Sequence, residues 1–94
     1  MSEDFKPYRQ KIDDIDRSIL KLLGERFNIV REVGHMKADK NYKLFQKARV
    51  EEVLNNVEVL ARKYNLSTER MRHIYIQLID YAHEIEGHIK EDRD

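Results

Sequence analysis

The chain has 94 residues, with 18 Lys plus Arg balanced by 18 Asp plus Glu, so its formal net charge is zero. There is no Cys, which excludes a disulfide scaffold, a thiolate metal site and a cysteine nucleophile. Neutrality argues against holding nucleic acid by bulk charge, and no apolar run exceeds three residues, too short to cross a membrane. The opening residues, Met-Ser-Glu-Asp-Phe-Lys-Pro, are charged and carry no apolar stretch of a signal peptide, so a cytoplasmic protein is expected.

Scarce Gly, a single Pro and abundant Glu, Lys, Arg and Leu predict a single all-α domain over residues 1–94. Its first segment runs from about Phe5 to about Lys40. Asp4 is expected as N-cap, with Pro7 in the first turn, where a missing N–H costs little. Ile12, Ile15, Ile19, Leu22, Leu23, Val30 and Val33 keep helical spacing. Gly24 and Gly34 read as weak spots in this pattern rather than breaks, the alternative being a break near one of them. One helix of this length is roughly 50 Å long. A compact chain of this size has a radius of gyration of about 12 Å. The helix must therefore protrude with its apolar stripe uncovered, and a second copy of the chain is the expected cover.

Asn41 to Gln46 reads as a connection. A second helix is predicted from about Lys47 to Tyr64, with Val50, Val53, Leu54, Val57, Leu60, Ala61 and Tyr64 on one face. A turn follows at Asn65-Leu66, with Ser67 or Thr68 as N-cap of a third helix. That helix carries Met71, Ile74, Tyr75, Leu78, Ile79, Ala82, Ile85 and Ile89. The polar tail from Lys90 to Asp94 is expected to fray.

Three charges interrupt these stripes. Ile15, Ile19, Leu22, Arg26, Val30, Val33 and Lys37 follow one another at steps of three or four, so Arg26 and Lys37 lie in line with apolar residues. Glu86 interrupts the stripe of Leu78, Ala82, Ile85 and Ile89 in the same way. A charge on a core-facing stripe is costly unless paired or functional. The alternative is that the two cations reach past the stripe to water and Glu86 merely pairs with one of them. Arg9 lies seventeen residues before Arg26, about 25 Å along the same axis. One small ligand cannot bridge both within one chain, but antiparallel pairing of two long helices brings Arg9 of one chain to Arg26 of the other. Arg49 opens the second helix as a further candidate, the alternative being a solvated surface arginine. Arginines and a lysine in apolar walls suit a small dicarboxylate. His35, His73, His83 and His88 form no metal set and read as surface residues, so no metal is expected.

At this point the chain resembles the all-helical chorismate mutase family along nearly its whole length. Tyr8-Arg9-Gln10-Lys11-Ile12-Asp13-Asp14-Ile15-Asp16 resembles the family's opening, with its I-D-x-I-D pattern. Leu22-Leu23-Gly24-Glu25-Arg26 is similar to its L-L-x-E-R, and Val33-Gly34-His35-Met36-Lys37 to its V-G-x-x-K. Arg49 with Glu51-Glu52-Val53-Leu54 resembles R-x-E-x-V-L, and Leu78 to Glu86 resembles the closing I-I-x-x-S-x-x-x-Q. Single pieces are weak, but five in order at the right separations are specific.

The resemblance implies an intertwined homodimer with three helices per chain and an isomerase that converts chorismate to prephenate by a Claisen rearrangement, without cofactor or covalent intermediate. It implies that Lys37 and Glu86 act on the ether oxygen, Glu86 in its protonated form. It also implies that Arg26 and Arg49, with Arg9 from the partner chain, fix the two carboxylates. Gln46, Val50 and Ala82 fall at substrate-binding positions where the family usually has Asp, Glu and Ser. The first two usually serve the ring's C4 hydroxyl, so the departures bear on the ring substituent. His35, Gln46, Val50 and Glu86 also resemble the branch acting on 4-amino-4-deoxychorismate, and Arg49-Val50 resembles isochorismate pyruvate lyases. A non-catalytic helical interaction or regulatory module is the reading from another class.

Overall fold

The computed structural model describes residues 2–93 and contains three helices: α1 (Ser2–Lys40), α2 (Lys47–Lys63) and α3 (Thr68–Arg93). Gly24 and Gly34 leave α1 unbroken over 39 residues. It starts before the expected cap, so Glu3 and Asp4 lie in its first turn, where they complement the helix dipole. Pro7 therefore falls inside the helix rather than in its opening turn.

Two asparagines end the first two helices. Asn41 has φ 55° and Asn65 φ 58°, the left-handed conformation that Asn tolerates better than most side chains. After each, the next N–H turns back to a helix carbonyl: Tyr42 N to Lys37 O at 2.9 Å and Leu66 N to Ala61 O at 2.8 Å. Both helices thus close in the same six-residue motif, which satisfies carbonyls otherwise left bare. Ser67, not Thr68, caps α3, its hydroxyl accepting the Arg70 N–H at 3.1 Å.

The polar tail does not fray where expected, because α3 stays helical to Arg93. The Arg93 guanidinium pairs with Asp39 and meets His35 Nδ1 at 2.9 Å, which ties the end of α3 to α1. Asp94 lies outside the described residues.

α3 is the centre of the molecule. Both other helices pack on it, and α1 and α2 do not pack on each other. Phe27, Leu54, Val57, Ala61 and Ile79 are the buried apolar residues between them. The N-terminal half of α1 has nothing to pack on: Phe5, Tyr8, Ile12, Ile15, Ile19 and Leu22 are each 49–64% exposed. The molecule accordingly measures 57 × 26 × 15 Å, with a radius of gyration of 17.1 Å against about 12 Å for a compact chain of this length. Among the described residues, no helix is long and apolar enough to cross a membrane.

Candidate active site

Because α1 and α2 rest on α3 without meeting, a cleft of about 280 Å³ remains between them. α1 supplies Arg26, Ile29, Val30, Val33 and Lys37, which share one face of the helix. α2 supplies Arg49, Val50 and Val53, and α3 supplies Ile79, Ala82, His83 and Glu86. The intruding charges of both long helices therefore face one space.

Glu86 is only 4% exposed, the one buried charged residue among those described. Lys37 donates to its Oε1 at 2.9 Å and to the Leu44 carbonyl, also at 2.9 Å. An unpaired carboxylate at this depth would be strongly destabilising, so the pair compensates a cost that burial creates. An ammonium has three N–H donors. With two engaged, Lys37 keeps one for a ligand.

The close approach of α1 and α3 makes this pairing possible. A Cβ at buried Gly34 would lie 2.9 Å from Ile89 Cδ1 and 3.3 Å from Glu86 Cγ. Gly34 thus admits α3 against α1 one turn before Lys37. The expectation of a Gly as mere weak spot in the helix missed this packing role.

Arg26 is half-buried, and its guanidinium carbon stands 5.6 Å from the centre of the Phe27 ring and 5.9 Å from that of Tyr75. The aromatic faces attract the cation but satisfy none of its N–H groups. Its Nη1 is buried without a hydrogen-bond partner. Such an orphaned donor costs free energy, which an incoming carboxylate would recover. Arg49 is exposed at the rim and pairs with Glu52 one turn along α2.

Not every expected residue reaches the cleft. Val50 and Ala82 line it; Gln46 does not, and its amide donates to the Lys43 carbonyl at 3.2 Å. Arg9 lies on the protruding half of α1, exposed, 5.7 Å from the centre of the Phe5 ring. The sequence predicts a surface position for His83, yet it is half-buried in the cleft wall. Its ring stands 5.3 Å from that of Phe45, tilted by 55°. The spacing Ile79-His83-Glu86, steps of four and three, is the signal that places His83 on this face.

A model of the chorismate mutase type II family matches residues 8–87. That stretch opens just before Arg9 and closes just after Glu86. The chain belongs to this family. It is 32% identical, over 78% of its length, to the bifunctional chorismate mutase/prephenate dehydratase of Buchnera aphidicola subsp. Acyrthosiphon pisum. A protein of the same name from Aquifex aeolicus is 30% identical over 94% of the chain. The chain spans only 19% and 25% of these two relatives. It spans 82% of the chorismate mutase of Methanocaldococcus jannaschii, with 27% identity over 86% of its own length. Every residue of the cleft lies inside the stretch that the family model matches.

Proposed function

We propose that this chain is a chorismate mutase that works as a homodimer and rearranges chorismate to prephenate. The observation that carries the reading is a cleft lined by Arg26, whose Nη1 is buried without a partner, by Arg49 and by the Lys37–Glu86 pair.

The rearrangement breaks one C–O bond and forms one C–C bond within a single molecule, so it needs no nucleophile. The protein's tasks are to hold the enolpyruvyl arm over the ring and to stabilise charge growing on the ether oxygen. Arg26 and Arg49 bind the carboxylates, Arg49 by turning from Glu52 into the cleft. Lys37 donates its remaining N–H to the ether oxygen. Glu86 accepts from the Lys37 ammonium at 2.9 Å and so holds that donor beside the reacting atoms. Arg9 of a second copy completes the cleft when two α1 helices pair in antiparallel sense, covering the exposed stripe from Phe5 to Leu22.

Two measurements test this. Adding protein to chorismate should remove its absorbance, with prephenate as product. Sedimentation equilibrium at micromolar concentration should give about twice the chain mass. No loss of chorismate would defeat the mutase reading, and a stable, active monomer would defeat the donation of Arg9.

One observation favours a second substrate within the same class. Val50 brings no polar atom to the cleft and Gln46 lies outside it. 4-Amino-4-deoxychorismate and isochorismate, which differ from chorismate in their ring substituents, therefore belong in the same assay. A non-catalytic interaction module is the poorer reading, since it has no use for a buried ion pair beside an orphaned arginine.

A further inference from the structure

The cleft holds one polar side chain that the chemistry above leaves unused. We propose that His83 is the residue that contacts the ring substituent of the substrate and selects among chorismate and its ring-substituted analogues. The inference rests on the mutase reading.

A ring hydroxyl or amine needs a hydrogen-bond acceptor when it is buried, since an unpaired donor in apolar walls is penalised. Arg26, Lys37 and Arg49 are donors only. Glu86 already receives the Lys37 ammonium at 2.9 Å. Val50, Val53, Ile79 and Ala82 offer only carbon atoms to this space. His83 is the remaining polar residue in the lining. Neutral imidazole carries one donor and one acceptor, so it can serve either partner. Among the described residues no protein group bonds to its ring nitrogens. The Phe45 ring, 5.3 Å away, holds the imidazole in place from the loop between α1 and α2. It packs against the ring without consuming either nitrogen. His83 also lies one turn before Glu86 on the same face of α3, so a ligand held at Lys37 and Glu86 has its ring within reach of this residue.

The ring substituent does not change during the rearrangement, so its contact is made equally in the ground and transition states. Losing it should act on KM more than on kcat. The experiment measures both for chorismate, 4-amino-4-deoxychorismate and isochorismate with the parent protein, His83→Leu and His83→Gln. Leu keeps an apolar surface against Phe45 and removes both hydrogen-bonding atoms. It should lower kcat/KM for the preferred substrate by about tenfold to 100-fold, less for the others, and mainly through KM. Gln keeps an acceptor at a different reach and should change the ratios by several-fold. If His83→Leu does not fold, as judged by helical circular dichroism, His83→Gln decides alone. A fall of equal size on all three substrates, or ratios unchanged in the folded variants, overturns the proposal while the parent's turnover keeps the mutase reading intact. A parent that turns over none of the three overturns the mutase reading and this proposal with it.

Discussion

Lys37→Ala should lower kcat by about 100-fold to 1,000-fold, the usual loss when one donor to developing charge is removed. Binding of a substrate-like dianion should weaken far less, because the charge on the ether oxygen grows only in the transition state. The substitution has a second effect that must be separated from the first. Lys37 and Glu86 are 14% and 5% exposed at their side chains, so removing the cation strands a buried carboxylate. Breaking a buried pair from one side costs about 3–5 kcal/mol, a large share of a small domain's stability. Lys37→Ala combined with Glu86→Gln removes the stranded charge. That double variant should regain much of the lost thermal stability and none of the lost kcat. Thermal unfolding and turnover on both proteins check this. Recovery of kcat with stability would mean that Lys37 only supports the fold.

Arg26→Ala should lower kcat/KM by about 100-fold or more and weaken dianion binding by a similar factor, since the carboxylate it holds is charged throughout the reaction. Its effect on the fold should be smaller than that of Lys37→Ala, since no buried charge is left stranded. Nη1 has no hydrogen bond to lose, and what the fold gives up is the attraction of the cation to the Phe27 and Tyr75 rings. Arg26→Lys should recover only part of the binding, because an ammonium is not a two-pronged donor to a carboxylate. Calorimetric titration with a non-reacting dicarboxylate analogue reads the affinity directly. Undiminished binding in Arg26→Ala would remove Arg26 from the site, whatever happened to kcat.

The sequence by itself determined what helical periodicity and local capping control. Steps of three and four marked the three helices, and they put Arg26, Lys37 and Glu86 on apolar stripes as residues out of place. Asn41 and Asn65 stand beside the predicted ends of the first two helices, and Ser67 stands at the predicted start of the third, because caps and turns are settled within a few residues. The family motifs then joined these positions into one proposed site.

Only the tertiary structure decided which of these residues meet. Lys37 and Glu86 are 49 positions apart, and their contact depends on how closely α1 approaches α3, which Gly34 permits. A sequence pattern shows that Gly34 is weak in a helix but not that a neighbour presses against it. The same holds for His83, whose polar side chain hid a cleft-facing position, and for Gln46, which lies three residues before Arg49 in the chain but turns to the Lys43 carbonyl. Composition predicted a frayed polar tail, yet Arg93 reaches Asp39 and His35 across the helix pair and holds it. Periodicity specifies the face on which a side chain lies; what stands opposite depends on the crossing of helices distant in sequence.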